Sequence, residues 1–222
     1  MPVALRELLE NTLLIVAALF PIVDPIGNTP IFLALTRGLS SQGRSSLARL
    51  IALNSLILIL ASVFIGTYIL NFFGISLPAV QVGGGLVLIS TGWALLRRPD
   101  EAHSEESDAR RDWHEDTLQH QAFYPLTLPL TVGPGAISVA ITLGANRPGG
   151  GRQWPLIAGM LIGSALIGLS IYLSYRYAEG IARVLGESAM NVIIRLSSFI
   201  LVCIGVQILW NGLSALLKTV VT

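Results

Sequence analysis

Phe20-Pro21-Ile22-Val23-Asp24-Pro25-Ile26-Gly27-Asn28-Thr29-Pro30 decides how this chain is read. It lies inside an apolar run from about Leu8 to Leu35, where one continuous helix would otherwise be expected. Proline has no backbone N–H and clashes with the preceding turn, so three within ten residues do not leave a regular helix. Asp24-Pro25 and Thr29-Pro30 each read as an N-cap followed by proline at the first helical position. A second stretch, Tyr124-Pro125-Leu126-Thr127-Leu128-Pro129-Leu130-Thr131-Val132-Gly133-Pro134, superimposes on the first at an offset of 104 residues. An aromatic residue and three prolines coincide without a gap, in a chain with only 11 prolines.

Around these stretches the composition is that of a membrane protein. The 222 residues have a mean hydropathy of +0.70, 53% are apolar and 12% are charged. A soluble domain carries about a quarter charged residues, so water could not cover this surface and lipid must. Further apolar runs lie near Leu47–Leu70, Leu77–Leu96, Ala122–Ala145, Trp154–Tyr175 and Val192–Leu217. Each is long enough for a span of about 20 residues, and too long and uniformly apolar for alternating barrel strands. The expectation is an all-α polytopic protein with six transmembrane segments. Residues 1–96 form a first three-helix repeat, 97–121 a charged linker and 122–222 a second repeat. Three spans per repeat is an odd number, so the second copy enters the membrane inverted, with helices 1 and 4 broken. Inverted repeats of this kind place a substrate near the midplane, at the breaks. A weaker echo aligns Gly92 with Gly205.

The breaks supply the candidate binding residues. A half-helix start carries unpaired N–H groups and a positive dipole end, which suit a carboxylate. Proline donates nothing, so the donors are expected from Ile31 and Phe32, or from Gly135 and Ala136. Gly27, Gly133 and Gly135 allow close approach of backbone to ligand. Asn28, Thr29 and Thr131 offer neutral donors and acceptors. Asp24 is the only acidic residue inside an apolar run, and an intramembrane carboxylate is a functional hypothesis by default. It could carry a proton or sodium ion, or simply cap the helix that follows. The competing reading of both motifs is plain kinking, with neighbouring groups repairing the freed carbonyls. Arg195 reads as snorkelling to the interface rather than pairing with Asp24. Gly83-Gly84-Gly85 and Gly159-x-x-x-Gly163 read as small-residue packing faces. Asn54, Gln81 and Gln207 read as path-lining groups or interhelical hydrogen bonds.

Other classes are disfavoured. The net charge of +1 gives no footprint for nucleic acid. No His-Glu-x-x-His or Gly-x-Ser-x-Gly motif is present and no apolar run holds a histidine, so the chain does not read as an enzyme. His103, His114 and His120 match no tight ligand spacing, so no metal or other cofactor is expected. Cys203 is the single cysteine and cannot form an internal disulfide. The N-terminal run lacks a basic start and a small-residue cleavage site, and reads as a permanent span. Basic residues cluster on one side: Arg37, Arg44, Arg49, Arg97, Arg98, Arg110, Arg111, Arg176, Arg183 and Arg195, against Arg6, Arg147, Arg152 and Lys218. The positive-inside rule makes the richer side cytoplasmic and both termini external.

Over Pro21–Phe32 and Pro125–Ala136 the sequence resembles the MarC family of bacterial inner-membrane proteins, which includes the SnatA-type small neutral amino-acid transporters. The resemblance runs along essentially the whole chain. It implies a multi-pass inner-membrane location, helices broken at these motifs, and transport of glycine- or alanine-sized amino acids. The leading expectation is a secondary transporter, in the exporting sense, coupled to H+ or Na+. A small-solute channel-like pore and a non-transporting scaffold remain alternatives. The expected partners are a small-molecule substrate and the lipid bilayer, with a homo-oligomer left open.

Overall fold

The computed structural model describes residues 3–36, 38–97, 120–146 and 153–221. The described residues form eight helical segments: α1 (Val3–Val23), α2 (Thr29–Leu35), α3 (Ser41–Phe72), α4 (Leu77–Leu96), α5 (Ala122–Thr131), α6 (Pro134–Ala145), α7 (Gln153–Arg176) and α8 (Ala178–Val221). The linker between α4 and α5, with His103 and His114, lies outside the described residues apart from its ends, as do Arg37, Arg147 and Arg152.

Four segments are long and apolar enough to cross a membrane: Ser41–Phe72, Leu77–Leu96, Trp154–Arg176 and Ser188–Lys218. A fifth is reached if α5 and α6, bent by 71° at their junction, form one span. The first segment does not reach this measure. Arg6, Glu7 and Glu10 occupy the start of α1, and residues 24–28 separate it from α2, which has only 7 residues. The protein is therefore an all-helical polytopic membrane protein with four to five such spans, where the sequence suggested six.

Local chemistry explains the element boundaries. Ser40 caps α3 by accepting from Gly43 N at 3.1 Å, and Ser76 caps α4 by accepting from Ala79 N at 3.4 Å. The α3–α4 turn needs a left-handed residue, and Gly74 supplies it at φ 67°. Ile75 N then reaches back to Leu70 O at 2.9 Å, closing the end of α3. Gly186, at φ 69°, divides α8 into a short amphipathic lead and the long apolar span.

Glycines set how the helices meet. A methyl on Gly85 would lie 2.7 Å from Gly205 O, and one on Gly205 would lie 2.9 Å from Gly85 O. Gly92 faces Ser198 O, and Gly212 faces Pro78 O, in the same manner. Positions 78, 85 and 92 thus meet 212, 205 and 198, so α4 and α8 run antiparallel with their backbones in contact. Gly159 abuts Asn11 and Gly163 abuts Ile15, which makes α1 and α7 parallel neighbours. Gly168 lies against Ala52 and Leu56, and Arg176 donates to Ser45 Oγ, so α3 and α7 are antiparallel. The expected packing role of Gly84, Gly85, Gly159 and Gly163 is met, whereas Gly83 has open space. The core lies among α1, α3, α6 and α7, with Ile15, Leu19, Ile51, Ile59, Ala140, Ile167 and Ile171 buried. Many large apolar side chains point outward, including Leu53, Ile65, Leu169, Phe199 and Trp210, as a lipid-covered surface requires.

Candidate functional site

The first break follows α1, which carries Pro21 within its last turn. Residues 25–28 form a turn, and the next helix begins at Thr29, so Asp24-Pro25 does not start a half-helix as the sequence suggested. Asp24 takes a left-handed backbone, φ 41°, the only non-glycine residue to do so among the described residues. Such a conformation costs energy, and tends to persist where surrounding structure over-determines it. Here the carboxylate folds back so that Gly27 N donates to Oδ1 at 3.1 Å. The side chain of Ser197 on α8 lies next to it. A methyl on Gly27 would fall onto this carboxylate and displace it, so glycine here lets the carboxylate lie against the backbone.

Asn28 joins the two breaks. Its Nδ2 donates to Val23 O at 2.9 Å, repairing the open end of α1, and to Leu130 O at 3.4 Å in the second motif. Thr29 is fully buried and donates to Pro25 O at 3.0 Å.

The second break spans all of α5. The residue before a proline is driven to extended backbone, and Tyr124 and Leu128 both adopt it, at φ −124° and −109°. The Tyr124–Pro125 and Leu128–Pro129 bonds are cis. Tyr-Pro-Leu-Thr followed by Leu-Pro-Leu-Thr is a tandem of one unit. Each threonine turns its hydroxyl back: Thr127 Oγ1 donates to Ala122 O at 2.6 Å and Thr131 Oγ1 to Leu126 O at 2.7 Å. The ladder is widened to five residues, as in Val132 N to Thr127 O at 2.9 Å. These are the repairs that the kinking alternative demands. Gly133 then stands at the N-cap of α6 in extended conformation with Pro134 next to it, which puts Gly135 and Ala136 in the first turn.

Thr131 is tied to α7. Its oxygen lies 2.9 Å from the hydroxyl of Tyr175. The threonine hydrogen is already donated to Leu126 O, so the tyrosine is the donor. Tyr175 is buried and stacks on Phe32 of α2 with ring centroids 4.4 Å apart. Phe32, Tyr175 and Thr131 therefore connect the two breaks a second time. Tyr175 and Ser197 were not singled out from sequence. A tyrosine within an apolar run was the available signal for the first. Nothing local marks Ser197.

Gly135 and Ala136 are buried at the start of α6. A methyl on Gly135 would enter the Leu88 side chain of α4, so Gly135 is a packing contact as well as a candidate donor. Gly133 is less confined, its added methyl meeting only Pro129 O at 3.2 Å. Arg195 is on the exposed side of α8. A separate hollow of about 610 Å³ opens beside the start of α5, lined by Leu50, Asn54, His120, Phe123 and Tyr124.

The helix starts at the two breaks are alike in one respect. Neither α2 nor α6 has a side-chain cap, and both carry proline in the first turn. Three of the expected site residues, Asn28, Thr29 and Thr131, have their hydrogens committed to backbone carbonyls. Thr29 and Thr131 are buried as well, so of the three only the half-buried Asn28 has an oxygen within reach of a ligand. Among the described residues no group of three or more His, Cys, Asp or Glu is placed to hold a metal ion.

Comparison with known proteins agrees with this architecture. The model of a family described as MarC family integral membrane protein matches residues 9–217. The UPF0056 membrane protein YvbG of Bacillus subtilis (strain 168) is 31% identical over 201 residues, 90% of this chain and 92% of the relative. The UPF0056 inner membrane protein MarC of Salmonella typhimurium is 27% identical over 205 residues, 90% of this chain and 93% of the relative. No solved structure matches.

Proposed function

The chain belongs to the MarC family of integral membrane proteins, and from that premise we propose that it is a secondary transporter of small neutral amino acids in the bacterial inner membrane. The observation that carries this reading is the convergence of two uncapped helix starts, tied together by Asn28 and by the Thr131–Tyr175–Phe32 contact. Elsewhere the chain uses serine to cap helices, at Ser40 and Ser76. At the start of α6 it leaves Gly135 and Ala136 without a side-chain cap, whereas at α2 the N–H of Thr29 is bonded to Ile26 O at 3.1 Å.

An amino-acid carboxylate sits at the start of α6, facing the N–H groups of Gly135 and Ala136, where dipole and donors favour an anion. Its ammonium is met by the amide oxygen of Asn28, while the buried Thr29 and Thr131 hold the two breaks in shape. Gly27 and Gly133 keep the surrounding backbone close and limit the substrate to glycine or alanine size. Asp24 takes up the coupling proton or sodium ion. Ser197 of α8 lies next to this carboxylate, which gives the last span a route to sense its charge.

The two halves act as an inverted pair, with α5 and α6 together forming one broken span. The contacts exchange under a swap of halves. The packing of α1 on α7 corresponds to that of α5 and α6 on α3, and α2 on α8 to α6 on α4, while α3–α7 and α4–α8 map onto themselves. The start of α5 lies beside Leu50 and Asn54, and α6 crosses α3 further on, with Ile141 at Gly66 and Gly144 at Val63. Alternating access by rocking of one half against the other follows from such an arrangement.

Counterflow in proteoliposomes tests the reading. Vesicles loaded with unlabelled glycine or alanine should accumulate the labelled amino acid saturably and without conductance. Conductance without saturation would indicate a pore. No exchange of any small neutral amino acid would leave a scaffold.

A further inference from the structure

The last helix carries a polar group where lipid should be. The sequence between Arg195 and Lys218 is free of charge, and Gln207 stands at its middle, hence near the bilayer midplane. Gln207 and Asn211 are nevertheless exposed, and bond only within their own helix, Gln207 Nε2 donating to Asn211 Oδ1 at 3.0 Å. That single bond leaves Gln207 Oε1 and its second amide hydrogen to hydrocarbon, which can satisfy neither.

The position of Gln207 is not random. Ser198, Gly205 and Gly212 face α4. Two residues beyond Gly205, at about 100° per residue in a 3.6-residue turn, Gln207 is turned away from α4. On that side Leu196, Ile200, Cys203, Gln207, Trp210 and Ser214 recur at alternating spacings of four and three, which is the seam of a helix pair. Leu196 and Trp210 are 58% and 62% exposed, and Cys203 is exposed as well. The span Ser188–Lys218 has only 17% of its apolar window buried, against 39% for α3 and α7. A regular seam with one amide at its centre is how paired helices fix register.

We propose that this face of α8 pairs with the same face of a second copy of the chain, about a two-fold axis along the membrane normal. That axis sets the two α8 helices parallel, so each Gln207 meets its counterpart at equal depth. The amide of one copy donates its free hydrogen to Oε1 of the other, and the reverse, which satisfies both. The contact is isologous and closes on itself as a dimer. It leaves Ser197 and the α4 contacts on the other sides of the helix, so each copy keeps its own candidate site.

The native cysteine is the reporter. The full chain, in vesicles of phosphatidylethanolamine and phosphatidylglycerol, is oxidised with copper phenanthroline. A covalent dimer through Cys203 is expected. In a Cys203→Ala background, single cysteines at Ile200, Gln207 and Trp210 should also cross-link. Those at Val206 and Leu213, equally outward-facing but off the seam, should give several-fold lower yield. Single-molecule photobleaching should show two steps for the parent chain. For Gln207→Leu, dissociation should need about tenfold less dilution in lipid, because both reciprocal bonds are lost, each worth about 0.6 kcal/mol in a bilayer, and about 1.4 kcal/mol is a factor of ten. Leucine is at home in lipid, so loss of pairing in this variant is not loss of folding. Single-step bleaching at all densities, cross-linking without the four-three period, or unchanged pairing in Gln207→Leu would each overturn the proposal. So would cross-linking in native membranes to another protein, with none in purified vesicles.

Discussion

Removing the hydroxyl of Tyr175 should do less harm than removing the hydroxyl that receives it. In Tyr175→Phe the ring keeps its stack on Phe32, 4.4 Å between centroids, and only the donor is lost. Thr131 Oγ1 still donates to Leu126 O at 2.7 Å, so no hydrogen is left without a partner. The cost is that of one hydrogen bond, about 0.5–1.5 kcal/mol. Thr131→Val keeps the shape but leaves the Tyr175 hydroxyl buried without an acceptor, and strips Leu126 O of its repair. An unsatisfied buried group costs about 1–3 kcal/mol, so this variant should be the less stable of the two. The double variant should cost less than the sum, with a coupling near the average of about 0.6 kcal/mol seen between membrane helices. Equilibrium unfolding in mixed micelles, followed by circular dichroism, measures all three. The reasoning is refuted if Tyr175→Phe is the more damaging change. It also fails if the coupling falls below about 0.3 kcal/mol, within the error of independent sites.

Asp24→Asn keeps the shape of the turn and removes the charge. It should preserve folding and exchange of amino acid while abolishing the pH or sodium dependence of uptake; unchanged dependence would make Asp24 a structural turn residue only. Gly27→Ala should lower both folded yield and transport, because the new methyl falls onto the Asp24 carboxylate. Adding Asp24→Ala should recover the yield, and failure to recover would show that the contact is not the cause. In a Cys203→Ala background, a cysteine at Glu105 should be protected from an impermeant maleimide in intact cells, and one at Thr222 should be labelled. The opposite pattern would reverse the orientation drawn from basic residues.

The helical, lipid-covered character of the protein was legible because it is a property of composition, and both breaks were legible because proline acts locally. The boundaries were less so. Arg6, Glu7 and Glu10 weaken the first apolar run as a span, and the charge at its start outweighs the length of the run. Asp24-Pro25 looks like a helix start by local rules, yet the carboxylate is drawn into a contact with Gly27 and Ser197 that imposes a left-handed residue instead. The hydroxyls of Thr29 and Thr131 looked free in sequence. The prolines that made the breaks also freed carbonyls, and these claim both hydrogens. Tyr175 and Ser197 could not have been found by spacing, since they reach the breaks from α7 and α8, far along the chain.

Asn28 shows most directly why the breaks are more than kinks. Asparagine is among the best residues for capping a helix start, and Asn28 stands at the cap position of α2. It makes no side-chain cap there. Its amide is turned to Val23 O behind it and to Leu130 O in the other motif. The second motif has glycine at the matching role, which has no side chain to offer. Both helix starts thus lack the side-chain cap that local rules would supply, one by diversion and one by omission. At α2 the N–H of Thr29 turns to Ile26 O, so the donors left over are those of α6. Ser40 and Ser76 follow those rules where helices begin away from the breaks. A fold that withholds a side-chain cap at both breaks, and joins the breaks to each other, is best explained by a ligand that meets the donors left at the start of α6.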